Sequence, residues 1–229
     1  MKIDIWSDIA CPYCYVGSEN FENALKQFEH RDKVEVVMHS FELESNIGIN
    51  TGESQHEAVM RKYHQSAQEA QQTLDMATLA AKNAGVTIDF DKVITTNTFD
   101  AHRLMKFAAS EGKGSEIKNT LYKAYFSDGN HIGDKAQLIQ LATDAGLDAE
   151  VILKSDAFSK EVRQDEMLAH SIGVRSVPYY KFNGEHFITG ARPVTIFLQI
   201  LNKLWEEEKI LSVSKEDPGA ECHDGACTI

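Results

Sequence analysis

Two cysteines separated by a Pro-Tyr dipeptide, Cys11-Pro12-Tyr13-Cys14, stand where a strand pattern gives way to a helix pattern. That junction leaves the chain few folds. Upstream, residues 2–7 alternate, with Ile3 and Ile5 between polar neighbours, and read as a short strand. Downstream, Phe21, Ala24, Leu25 and Phe28 recur at i, i+3, i+4 and i+7, the stripe of an amphipathic helix. Val34, Val36, Val37 and Met38 form a second β-rich run. The first forty residues are therefore a βαβ unit, whose crossover is expected to be right-handed. A Cys-x-x-Cys pair in that setting reads as a redox centre rather than a zinc knuckle.

The chemistry follows from helix geometry. With Cys11 at the N-cap and Pro12 as the first helical residue, the N–H groups of Tyr13 and Cys14 have no intrahelical partner and are expected to point at the Cys11 sulfur. The helix dipole adds positive charge there, and both effects favour thiolate over thiol. Cys14, three residues on, brings its sulfur beside that of Cys11 within disulfide reach. Cys11 is then the exposed nucleophile and Cys14 the more buried resolving thiol. Zinc wants four ligands, and the next cysteine after Cys14 is Cys222, so no metal is expected here.

Between the β-rich runs the chain reads as helix. Residues 54–84, 98–111, 115–126, 134–145 and 156–171 are each helical in composition, with Gly85, Gly112 and Gly146 as stops. β character returns at 178–182. Asn183-Gly184 is a strong hairpin turn, and residues 186–189 complete the hairpin. Pro193 opens a last helix to about Glu208. Pro178 stands at the first residue of its strand, where a missing N–H is tolerated. Residues 212–229 are polar and read as an exposed tail.

Charge and cysteine usage narrow the function. The chain carries 35 acidic against 23 basic residues, a net charge of -12, which argues against nucleic acid or an anionic membrane as partner. No run of about 18–20 apolar residues is present to span a bilayer. The N-terminal residues lack the apolar run of a secretory signal, so a cytoplasmic location is expected. There, close cysteine pairs are catalytic, redox-sensing or metal-binding more often than structural.

Several stretches carry a resemblance: Ser7 through Gly17 around the cysteine pair, Asn97-Thr98-Phe99-Asp100-Ala101-His102-Arg103-Leu104, Ala124-Tyr125-Phe126, residues 173–178 and Gly190-Ala191-Arg192-Pro193. Together they resemble the DsbA family of thioredoxin-fold oxidoreductases, and within it the cytoplasmic FrnE-like branch. The resemblance implies an α/β thioredoxin-like fold with a mixed four-stranded sheet and a large all-helical, DsbA-like insertion. It implies a cis Val177-Pro178 bond in the loop that abuts the cysteine pair, and a disulfide-exchange role for Cys11 and Cys14. Pro12, Tyr13, Val177 and Pro178 become the substrate-contacting residues. The domain reading is a discontinuous thioredoxin-like domain, 1–45 and 172–211, and a helical insertion, 46–171. The insertion's last helix, about 156–171, could return to the core, and 212–229 is a tail.

The expected activity is thiol–disulfide exchange, as oxidation, reduction or isomerisation, on a thiol or disulfide substrate. No cofactor is expected beyond the redox-active disulfide, with glutathione or another low-molecular-weight thiol as an open co-reactant. One alternative is a glutathione-dependent isomerase or transferase, since a sister branch of 2-hydroxychromene-2-carboxylate isomerases and kappa-class glutathione transferases resembles this fold. Those proteins typically lack the cysteine pair, so Cys14 speaks against that reading. A redox-sensitive adaptor is the other alternative.

The tail pair Cys222 and Cys227 resembles a second pair in FrnE-like proteins. A shuttle to Cys11–Cys14 ranks first for it, ahead of incidental thiols and of zinc held with His223. Asp8 is read as a turn residue rather than a proton carrier. His102 and Arg103 are read as a polar pair on a helix surface, and His56 and His64 as surface histidines.

Overall fold

The computed structural model describes residues 1–216, and Cys222 and Cys227 lie outside the described residues. Four strands, β1 (Lys2–Ser7), β2 (Glu35–Ser40), β3 (Tyr179–Phe182) and β4 (His186–Thr189), form one sheet in the order β2-β1-β3-β4. β1 pairs parallel with β2 and antiparallel with β3, and β3 pairs antiparallel with β4. The parallel pair needs a crossover, and α1 (Pro12–Gln27) supplies it. Asn183, at φ 50°, and Gly184, at φ 78°, make the tight turn between β3 and β4.

Between β2 and β3 come α2 (Gln55–Tyr63), α3 (Ala67–Ala84), α4 (Phe99–Ser110), α5 (Gly114–Lys123), α6 (Lys135–Asp144), α7 (Glu150–Lys154) and α8 (Ser159–Ser171). α9 (Val194–Glu216) follows the sheet. The helical reading of this block holds, with four corrections. The single helix expected over 54–84 is two. His64 takes the left-handed conformation at φ 54°, and each helix opens on its own capping box, Ser54 with Glu57 and Ser66 with Glu69. The helix expected to reach residue 126 leaves α geometry after Lys123, where a π-turn, Ala124–Asp128, closes on Gly129. α7 was not expected, and α8 begins at Ser159 rather than 156. α9 passes beyond Glu208 into the first residues read as tail, because no glycine or proline interrupts it.

Strand alternation sorts the core. Ile3 and Ile5 of β1, with Tyr180 and Phe182 of β3, face α1 and α9 and pack on Phe21, Phe28, Phe197 and Leu201. Trp6 and Tyr179 face the opposite side, where Ala169 of α8 and Val174 cover them. The third cluster joins the two parts of the molecule. Ile9, Cys11, Cys14 and Val16 are packed into the same core as Leu104, Ile117, Leu121, Tyr122 and Phe126 of the helical block. The cysteines therefore sit in the seam between sheet layer and helical block, with charged ties alongside. Lys118 of α5 meets Glu22 of α1 at 2.5 Å, and Lys106 of α4 pairs with Asp165 of α8 and donates to Met38 O of β2 at 3.0 Å.

Candidate active site

The centre is built on the turn that links β1 to α1. Cys11 is the N-cap, in extended conformation, and Pro12 follows at the first helical position. Both cysteines are free thiols, 3.4 Å apart. The expectation that helix N–H groups point at the Cys11 sulfur is corrected. Cys14 N and Tyr15 N donate instead to Cys11 O, at 3.0 and 3.2 Å, and the Cys11 side chain receives no capping bond. In the thiol form the sulfur is a donor, and its partner is Val177 O at 3.8 Å. Nor is Cys11 exposed. It is 5% accessible against 1% for Cys14, because the Val177-Pro178 loop lies over it.

That loop carries a cis Val177-Pro178 bond. Thus Cys11, Cys14, Pro12, Tyr13, Val177 and Pro178 are brought together as read from the sequence. Tyr13 points outward, 37% exposed. Gly17, five residues after Pro12, is also part of the fit. A Cβ there would stand 2.6 Å from Tyr180 Oη and 3.1 Å from Pro178 Cγ, so only glycine lets β3 and the proline close on the helix.

The two sulfurs face different spaces. Cys11, with Pro12, Tyr13, Tyr63, Leu74 and Tyr125, lines a cavity of about 120 Å³ closed by α2 and α3. Cys14, with Met38, Tyr122, Lys118 and Pro178, lines one of about 330 Å³ between α1, the β2 edge and α4–α5. Burial, and then the adjacent Cys11 sulfur, push the Cys14 thiol well above its ordinary value.

Below the pair lies Asp8. Its Oδ1 accepts from Ala10 N at 3.2 Å, the Asx turn read from the sequence. It does more than that turn. Oδ1 also accepts from Thr98 Oγ1 at 2.9 Å and meets His102 Nε2 at 3.3 Å, and Oδ2 accepts from Leu43 N at 2.7 Å. Burial pushes this carboxyl up. The His102 contact, the Leu43 amide and the Thr98 hydroxyl outweigh it and hold Asp8 below the ordinary carboxylate value.

The surface reading of His102 and Arg103 is overturned: both are buried, at 0% and 2%. Arg103 donates to Ala157 O at 2.8 Å, to Asp100 Oδ1 at 2.6 Å and to the Ile152 and Ser155 carbonyls at the end of α7. By its pattern α4 is amphipathic, with Ala101, Leu104, Met105 and Ala108 on one face and His102, Arg103 and Lys106 on the other, so the sequence carries no sign of this burial. Glu42, also buried, is held by Asn97 Nδ2 at 3.0 Å and Arg163 Nη1 at 2.6 Å, and no motif or spacing in the sequence points to it. Among the described residues no group of three or more His, Cys, Asp or Glu side chains is placed to hold a metal ion.

A dithiol at the start of the first crossover helix, facing a cis-proline loop in a β2-β1-β3-β4 sheet, defines a thioredoxin-like protein with a helical insertion. The model of the DSBA-like thioredoxin domain matches residues 2–202, and the chain belongs to that family. A probable DsbA oxidoreductase, SCO1869 of Streptomyces coelicolor, superposes with a TM-score of 0.84 at 34% identity, covering 100% of this chain and 96% of that one. The uncharacterized protein YwbO of Bacillus subtilis is 30% identical over 149 residues, 65% of this chain and 68% of its own. The cytosolic disulfide reductase DsbM of Pseudomonas aeruginosa shares the fold, with a TM-score of 0.62 over 92% of this chain and all of that one, at 14% identity. Among the described residues no helix is long and apolar enough to cross a membrane.

Proposed function

We propose that the chain is a thiol–disulfide oxidoreductase working through Cys11 and Cys14, as a cytoplasmic, FrnE-like member of its family. The observation that carries this is the pair of free thiols 3.4 Å apart at the N-terminus of α1, with Cys11 against the carbonyl of the cis Val177-Pro178 bond. In the oxidised form the pair is a disulfide. A substrate thiolate attacks the Cys11 sulfur, the Cys11–Cys14 bond breaks, and Cys14 leaves with the electron pair and takes a proton. The second substrate thiolate then attacks its own sulfur in the mixed disulfide and releases Cys11, which takes the second proton. Two electrons and two protons pass from a substrate dithiol to the enzyme, and the reverse sequence reduces a substrate disulfide. Tyr13, exposed beside Cys11, and the backbone at Val177 are the substrate-contacting groups in this reading.

The 120 Å³ cavity beside Cys11 suits a small group next to the reacting sulfur, which supports a low-molecular-weight thiol such as glutathione as co-reactant. Cys222 and Cys227 act, in this reading, as an accessory couple that exchanges with the centre.

Equilibration of the wild-type protein in a glutathione redox series, with alkylation and peptide mass spectrometry, tests the proposal. Cys11 and Cys14 are expected to titrate as one two-electron couple, with Cys14→Ser accumulating a mixed disulfide on Cys11. If the two never pair under oxidising buffer, the reading fails. Full activity in Cys14→Ser would move it to the glutathione-dependent isomerase class.

A further inference from the structure

The cavity of about 330 Å³ on the Cys14 side of the dithiol has no part in the exchange steps. One face of α1 walls it, since Cys14, Ser18, Phe21 and Leu25 recur at i, i+4, i+7 and i+11. Met38 of β2 and Met105 of α4 also line it. Cys11 lines the smaller cavity instead, so a substrate held at Cys11 and this space are separate.

The charged groups of the wall are already paired. Lys118 is held by Glu22, and Lys106 by Asp165. His39 is bonded at both ring nitrogens, to Asp165 and to Asp4. Ser7 is different. Its hydroxyl is part of the wall, the residue is 2% exposed, and Oγ has no hydrogen-bond partner. It bears on the buried Tyr122 hydroxyl, though at no hydrogen-bonding geometry. A buried hydroxyl left unpaired is costly, and an oxygen atom placed in the cavity would satisfy it.

We propose that this cavity is a binding site for a small, neutral aromatic molecule of two fused rings carrying one oxygen, a phenol or an aryl ketone. The size follows from the volume. An apolar cavity of roughly 150 Å³ takes a benzene ring, and this one is about 330 Å³. The thioethers of Met38 and Met105 favour an aromatic surface. The paired lysines leave no lone cation for a carboxylate, which selects a neutral molecule. Its oxygen meets Ser7 Oγ, which can donate or accept. Bound there, the molecule covers the Cys14 sulfur on its cavity side and leaves Cys11 free. The site belongs to the reduced protein and does not require that the cysteine pair cycle.

The test is isothermal titration of the reduced full-length protein with 2-naphthol near neutral pH, where the phenol is uncharged. One saturable site is expected. Ser7→Ala is expected to weaken binding several-fold, the effect of one lost hydrogen bond. 2-Naphthoate, of the same size but charged, is expected to bind several-fold more weakly than 2-naphthol. Ser18→Leu and Ala109→Leu fill the cavity from α1 and from α4, and each is expected to abolish binding. Location is read by iodoacetamide alkylation and peptide mass spectrometry, which resolves each cysteine. Saturating 2-naphthol is expected to slow alkylation of Cys14 in a Cys11→Ser background, and to leave that of Cys11 unchanged in a Cys14→Ser background.

Absence of a saturable site would overturn the proposal, as would equal affinity for 2-naphthoate or binding that survives both filling variants. Protection of Cys11 rather than Cys14 would also overturn it, by placing the molecule in the smaller cavity. Should Ser18→Leu fail to fold, Ala109→Leu, at an exposed position, carries the same arm. Because the titration uses reduced protein, failure of the glutathione series and failure of this assignment are separate results.

Discussion

At the scale of single residues, the centre depends on side chains that are small or buried as much as on the sulfurs. Gly17 shows this most directly. A methyl group at that position would overlap Tyr180 Oη, 2.6 Å away, and press on Pro178. Gly17→Ala is therefore expected to destabilise the protein by about 1–3 kcal/mol, the usual cost of overpacking, and to widen the gap between α1 and the cis-proline loop. Tyr180→Phe removes the clashing oxygen, so the double variant should recover most of the loss. Equal melting midpoints for Gly17→Ala and wild type, by calorimetry, would show that the contact is soft.

At the scale of elements, local signals placed most helices, and tertiary packing decided which faces they hide. α6 is a local case. Asp134 accepts from Ala136 N at 2.7 Å and Gln137 N at 3.2 Å, the N-cap pattern. Asp134→Ala is expected to cost about 1 kcal/mol, which in a chain of this size lowers the melting midpoint by about 2–4 °C. Thiol exchange, measured alongside, should be unchanged, since α6 lies away from the dithiol. α4 is the opposite case. His102 and Arg103 look like surface residues, yet α4 packs against α5, α7 and α8 and both side chains are buried, while Ala109 and Ser110 of the same helix stay exposed. Arg103 then serves as a buried cap for the carbonyls that end α7.

At the scale of the molecule, two carboxylates fasten the helical block to the sheet layer. Asp8 binds α4 through Thr98 and His102. Asp165 of α8 accepts from Ser40 N of β2 at 2.7 Å, touches His39 Nδ1 at 2.8 Å and pairs with Lys106 of α4. Burial pushes both up, and the partners more than offset it, so both lie below the ordinary aspartate value of 3.8. A depressed folded value means that the stability is fully present above the unfolded value and is lost as pH falls through the folded one. The stability difference between wild type and Asp165→Asn should accordingly be largest near neutral pH and shrink below pH 3.8. Urea unfolding at several pH values measures it, and a difference that stays constant with pH would remove the ion pair from the account.

Sequence alone determined most of the elements and the place of the cysteine pair among them. Period-two alternation in β1, the stripe on α1, the Asn183-Gly184 turn and the spacing of Cys11 and Cys14 are local properties, and local hydrogen bonds and side-chain sterics are enough to realise them. Capping boxes at Ser54 and Ser66 were equally local and mark the break at His64. The buried network was not legible, because Asp8, Leu43 and the Thr98–His102 turn of α4 lie in three separate stretches and meet only when the helical block closes on the sheet. Packing of the Val177-Pro178 loop over the β1–α1 turn buries Cys11 and sets its thiol against Val177 O, while Cys14 lines a different cavity. Whether a carboxylate is a turn residue or a buried charge depends on what is packed over it, and that is decided by tertiary structure.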